Sequence, residues 1–163
     1  MARVIEARDP HAAWATMSVR TLITVFIYGL IVGLVTCALY AVLERFVFEP
    51  VLCREGVALA RCESKDEIAA GVAVIIGSFI GLTLLVRERI YRPILAIIGI
   101  ALSVWGAFSL VAVMPLITAA IVMTLLIATA YALFAWLVQP TSLVISVVAV
   151  ALVVVLARLA LGA

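Results

Sequence analysis

Charge is what this sequence has least of. Only 12% of its 163 residues are Asp, Glu, Lys or Arg, there is one histidine, His11, and cysteine occurs only at 37, 53 and 62. Soluble domains carry about 25% charged and about 45–50% apolar residues. Here the apolar share is 68% and the mean hydropathy is +1.39. A folded globule of this length still exposes much of its surface, so one small core cannot hide so large an apolar excess. The expected solvent for most side chains is lipid.

The scarcity of charge also removes whole classes of function. A net charge of +2 with no dense basic patch excludes nucleic acid as an expected partner. No Asp, Glu, Lys, Arg or His lies in the core of any apolar run, and such intramembrane groups are what proton relays, ion paths and catalytic centres require. The polar side chains left at depth are hydroxyls, chiefly Thr24, Tyr28, Thr36, Ser78, Thr83, Ser103, Thr124, Thr129, Tyr131 and Ser146, together with Trp105. Such hydroxyls ordinarily bond back to carbonyls of their own helix. No nucleophile–base pair, phosphate-cradling glycine loop or metal-ligand spacing can be assembled. The expectation is a non-enzyme with no catalytic residue, no metal and no cofactor. No internal repeat is visible.

What the sequence does have is length in its apolar runs. A membrane span needs about 20 apolar residues to cross about 30 Å of hydrocarbon. Runs 22–43 and 68–86 meet this directly. From Ile94 to Val138 the chain has no ionisable group except the Tyr131 phenol, and as a helix it would be about 67 Å long. It must turn back once. Pro115 is the punctuation, since proline cannot continue a helix but suits its first turn. The spans become 94–113 and 116–138, and after Gln139-Pro140-Thr141-Ser142 a last one covers 143–161. The predicted fold is all-α, a single polytopic transmembrane bundle over residues 1–163. Five spans are preferred, with loops at 44–67 and 87–93. The alternative is four spans plus a re-entrant element around Met114-Pro115, tolerated only where protein covers it.

Local signals place the ends. Asp9-Pro10 predicts a helix start that continues unbroken through Trp14 into the first span. Ser64-Lys65-Asp66-Glu67 reads as a capping box, with two carboxylates against the positive end of the helix dipole. The first apolar run is too long for the core of a cleavable signal, and no small-residue cleavage site follows it. Orientation follows the arginines: Arg3, Arg8, Arg20, Arg87, Arg89 and Arg92 fall on one side, against Arg45, Arg54, Arg61 and Lys65 on the other. This bias predicts a cytoplasmic N-terminus, as in a bacterial inner-membrane protein. Arg158, near the opposite face, runs against it and must snorkel.

Three features carry specific expectations. Cys53 and Cys62 enclose eight residues including Gly56, and a disulfide between them would restrain a loop too small to own a core; metal is disfavoured because no histidine is near. Arg87, Arg89 and Arg92 form an anchor for topology, or else a contact for lipid phosphates or an acidic partner. Small residues recur at four-residue spacing: Gly29 and Gly33 in the first span, Ala69, Ala73, Gly77 and Gly81 in the second, Gly99, Ser103 and Ala107 in the third. These stripes let helix backbones approach in lipid, and the two glycine stripes of the first and second spans are expected to face one another. The expected partners are the bilayer and other membrane subunits or further copies of the chain. The leading function is a non-catalytic accessory, assembly or envelope factor. The alternative is an oligomeric transporter or channel component for a neutral or apolar solute.

Overall fold

A computed structural model describes residues 18–53, 64–88, 90, 92–105, 107–111, 114–139 and 143–161. The described residues are helical throughout, with no strand. The helices are α1 (Val19–Leu52), α2 (Lys65–Arg87), α3 (Pro93–Val104), α4 (Ala107–Val111), α5 (Leu116–Leu137) and α6 (Leu143–Leu161). Helices α1, α2 and α5 are long and apolar enough to cross a membrane; the stretches Pro93–Val104 and Leu143–Ala157 are apolar but shorter.

Helix α1 starts later than the Asp9-Pro10 signal implies and ends later than its apolar run implies. Residues 1–17, including Asp9-Pro10, His11 and Trp14, lie outside the described residues. Ser18 is a true N-cap, with extended backbone (ψ 142°) and its hydroxyl accepting from the Thr21 amide at 3.2 Å. The expectation of an unbroken helix from Asp9 therefore gives way to a fresh start at Val19. At the other end the loop expected over 44–67 is replaced, as far as Leu52, by helix. Leu43–Phe48 form a π-turn that leads into a last α-turn, Glu49–Leu52. Pro50 explains the widening. Its ring would meet the carbonyl four residues back in a regular helix; in the wider turn the Glu49 amide bonds instead to the Glu44 carbonyl. With 34 residues, α1 is about 51 Å long, so its last turns stand beyond a hydrocarbon core of about 30 Å.

The second correction concerns the run 94–113. It is not one helix. Helix α3 stops at Val104, where Trp105 turns extended (φ −60°, ψ 120°) and returns its amide to the Ala101 carbonyl at 2.9 Å. Gly106 comes next in the sequence, the residue type that resists leaving helical backbone least. Helix α4 follows, and a turn with the Met114 amide on the Val111 carbonyl at 2.9 Å delivers Pro115 as the residue before α5. The third correction is the capping box. Ser64 occupies the N-cap of α2, but its side chain makes no capping bond because its backbone (φ −86°, ψ 0°) is not extended. Asp66 and Glu67 do sit in the first turn.

Packing is governed by glycine. A Cβ added at Gly29 would lie 2.7 Å from the Ala128 Cα and 2.9 Å from the Tyr131 Cβ; one at Gly33 would lie 3.0 Å from the Thr124 Cα. The Gly29–Gly33 stripe therefore seats α5, not the small stripe of α2 as expected. Helix α2 reaches α1 by a different edge, where Gly77 faces the Thr36 side chain, and Gly81 lies under the Tyr131 hydroxyl. Ala69 and Ala73 are wholly buried in line with them. In α3, Gly99 makes room for the Phe134 ring and for Val150 of α6. Around these approaches a continuous core forms from Val25, Val32, Leu85, Ile97, Ile100, Met123, Ile127, Tyr131 and Phe134. Lipid gives no hydrophobic drive between helices, so backbone approach and dispersion contact must hold them together.

Gly29 and Gly71 make a matched test, since only the first has a backbone in the way; a Cβ at Gly71 would meet only the Trp105 ring at 3.6 Å. Gly71→Ala is expected to leave stability unchanged or raise it by up to about 1 kcal/mol through helix propensity. Gly29→Ala should cost about 1–3 kcal/mol by overpacking. Unfolding in mixed detergent micelles checks this, and equal stability of the two variants would refute the glycine seat.

Candidate functional site

The polar groups that are fixed by the fold converge where α2 hands over to α3. Helix α2 ends at Glu88, whose amide bonds to the Leu84 carbonyl at 3.2 Å; the Ile90 amide then reaches back to Leu85 at 3.2 Å. Ile90 is buried and pins this elbow to the core. Arg92 is the only non-glycine residue with positive φ among the described residues (φ 57°, ψ 58°). The left-handed region costs an L-residue about 1–2 kcal/mol, and a following proline disfavours the α region further. Two bonds hold it there: its carbonyl accepts from the Ala96 amide at 3.4 Å, and its Nη1 donates to the Ser146 Oγ at 3.2 Å. Ser146 is fully buried in α6.

Glu88 is tied in the opposite direction. The Tyr28 hydroxyl of α1 donates to its Oε1 at 2.9 Å. One short elbow thus links α1, α2, α3 and α6 through two hydrogen bonds between residues 60 and 54 positions apart. At the far end of the α1–α2 pair, the Lys65 ammonium lies 3.7 Å from the Glu44 carboxylate and 4.0 Å from Asp66. These contacts make α1 and α2 antiparallel and place Arg20, Arg87 and Arg92 at one end, with Glu44 and Lys65 at the other.

The sequence-predicted residues divide accordingly. Arg87 is exposed at the elbow, and Arg92 is half-buried on Ser146; Arg89 lies outside the described residues. Cys53 ends α1 and is not a free thiol; Cys62 and Gly56, and with them the expected pairing, lie outside the described residues. Gly29, Gly33, Ala73, Gly77 and Gly81 are all buried in helix contacts. Among the hydroxyls, Thr24, Thr36, Thr83 and Thr129 bond to carbonyls of their own helices at 2.7–3.0 Å. Ser103, two residues before the break at Trp105, has a buried Oγ with no hydrogen-bond partner among the described residues.

A second region lies higher on the bundle. An open apolar groove of about 460 Å³ runs between α1 and α5, floored by Cys37, Ala38, Ala41, Ala120 and Thr124. The Cys37 thiol, the free one among the described cysteines, points to the Ala120 carbonyl at 3.9 Å, and the Thr124 hydroxyl donates to its sulfur at 3.9 Å. Among the described residues no three or more His, Cys, Asp and Glu come together as metal ligands do. Compared with family models, with curated proteins and with solved structures, the chain matches none.

The missed interactions are Tyr28–Glu88 and Arg92–Ser146. Only the unusual Arg92-Pro93 step hinted at either, as a place where the chain must turn sharply. If the Tyr28–Glu88 bond joins α1 to α2, a double-mutant cycle of Tyr28→Phe with Glu88→Ala, which leaves the phenol no acceptor, should give a coupling of about 1 kcal/mol. Strictly additive losses would show that the bond contributes nothing.

Proposed function

We propose that this chain is a non-catalytic multi-pass membrane protein that serves as an accessory or assembly subunit, in the inner membrane of a bacterium and with its N-terminus in the cytoplasm. The observation that carries this is the distribution of surface. Every long helix presents large apolar side chains outward, among them Ile27, Ile31 and Leu34 of α1, Ile75 and Phe79 of α2, and Ile117, Ile121 and Leu125 of α5. Meanwhile most of the polar groups that the fold fixes are spent on ties between helices or on carbonyls of their own helix. Loops are too short for an aqueous domain, and partners in the membrane are other subunits or further copies of the chain.

Orientation draws on the paired ends. The elbow end carries Arg20, Arg87 and Arg92, which the positive-inside bias assigns to the cytoplasm. Cys53 and the start of α2 then fall on the oxidising side, where a Cys53–Cys62 disulfide persists. The Arg92–Ser146 bond starts α6 at the elbow end. Its 19 residues, about 28 Å of helix, lead away toward the other face. Packing of Phe108 on Tyr40, with ring centroids 5.1 Å apart, carries α3–α4 across as a broken helix. Both points support five crossings over the re-entrant alternative.

A second reading has one observation in its favour. Broken helices inside apolar bundles line solute paths in transporters, and α3 breaks beside the unpartnered Ser103 hydroxyl. Flux of small neutral solutes into proteoliposomes distinguishes the two readings: permeability equal to protein-free vesicles is expected.

Two measurements test the primary reading. Cross-linking in native membranes followed by blue-native electrophoresis should show a defined complex larger than the chain; a monomer under all mild detergents would overturn the subunit role. Alkaline phosphatase fused after Ala163 should be active, and mapping of unreduced peptides should find Cys53 and Cys62 linked. A cytoplasmic reporter active at Ala163 would remove the five-crossing topology.

A further inference from the structure

We propose that the elbow between α2 and α3 docks the phosphate of an anionic phospholipid from the leaflet at that end of the bundle. The inference rests on the membrane reading and goes beyond it by naming a ligand.

The first argument is the choice of cation. The chain has a single lysine, Lys65, at the opposite end and engaged with Glu44. At the elbow end the basic residues are all arginine: Arg20, Arg87 and Arg92, with Arg89 between the last two in sequence. A planar guanidinium adds a donor fork that matches phosphate oxygens two at a time.

Second, the local acid is engaged with α1 and, among the described residues, forms no ion pair with these arginines. Glu88 stands between these arginines, yet its carboxylate accepts from Tyr28 on α1. Among the described residues, neither Arg20 nor Arg87 has a carboxylate within ion-pair distance, and both side chains are exposed. Arg92, by contrast, is held in place by buried Ser146, so its guanidinium is oriented before any ligand arrives.

The third argument selects lipid over an acidic protein. Directly flanking the arginines, Val86, Ile94 and Ile98 are 56%, 63% and 49% exposed on α2 and α3. A positive rim above a bare aliphatic face fits a molecule with a phosphate at one end and hydrocarbon at the other. A lipid lying against that face already brings a phosphate to the rim, whereas an acidic peptide would have to displace it.

The test is native mass spectrometry of the detergent-solubilised full chain, offered equal amounts of phosphatidylglycerol and phosphatidylcholine with identical acyl chains. The wild type should retain phosphatidylglycerol in preference. Arg87→Gln should lower that retention about fivefold, the effect of about 1 kcal/mol per basic residue near a phosphate surface. Glu88→Gln, which keeps an acceptor for Tyr28 but removes the charge, should raise it. Arg45→Gln, exposed at the other end, should leave it unchanged. Excess inorganic phosphate should not displace the lipid. Equal retention of both lipids by the wild type would overturn the proposal, as would an Arg87→Gln variant that binds like wild type, or displacement by inorganic phosphate, which would mark a free-phosphate site. Release of the protein from membranes by alkaline carbonate would instead defeat the membrane reading itself, so the two failures are distinguishable.

Discussion

The close approach of α1 and α5 at Gly29 and Gly33 is the constraint on which the other helix positions depend. With two backbones this near, the Tyr131 side chain has nowhere to go but along the seam, with its Cβ against Gly29 and its hydroxyl over Gly81 of α2. Tyr131 is almost wholly buried and acts as the spacer that sets where α2 can lie. One turn further on, Phe134 enters the gap left by Gly99 and sets α3, which in turn receives Val150 of α6. Thus α5 offers Tyr131 and Phe134 where Gly81 of α2 and Gly99 of α3 offer no side chain. This division suits a bilayer, where neither water nor a difference in apolarity pushes helices together.

Among the described residues the short polar contacts between helices act at the two ends of this stack, and between them only the long contacts of Cys37 with Ala120 and Thr124 cross from α1 to α5. Tyr28 and Glu88 close one end of the α1–α2 pair, and Lys65 and Glu44 the other. The exposed ion pair contributes little to stability by itself. Its weight is in register, because two fixed ends leave an antiparallel pair few ways to slide. The Arg92–Ser146 bond does the same for α6, which otherwise packs on the bundle with aliphatic side chains alone. Strain at Arg92 is tolerated because the elbow is held from both sides, by buried Ile90 and by buried Ser146.

The same elbow connects structure to function. Arg87 and Arg92 lie at the end proposed to be cytoplasmic, and Glu88 is bonded to Tyr28. On that proposal the segment is a shaped surface at headgroup depth as well as an anchor. At the opposite end α1 overshoots the hydrocarbon by its π-turn and last α-turn, carrying Cys53 out to where α2 begins. The two faces therefore differ in chemistry: arginine and an oriented turn on one, a projecting helix end and cysteine on the other.

The sequence by itself determined the solvent and most of the helix positions. Unbroken apolar length sets a helix in lipid, so α2, α5 and α6 fall close to the runs 68–86, 116–138 and 143–161. It also determined which residues are small enough for contact. Only the tertiary structure decided which helix each stripe meets. These helices are apolar on every face, so no polar side tells which way they turn. Gly29 and Gly33 were legible as a contact surface, but their partner Ala128 was not, since alanine there looks like any other apolar residue. The break at Trp105 and the π-turn at Leu43–Phe48 were equally hidden, because Gly106 and Pro50 mark that a helix must change without saying how. Hydrogen bonds across 54 and 60 residues have no local signature at all; they exist because packing at the glycines brings the helix ends together.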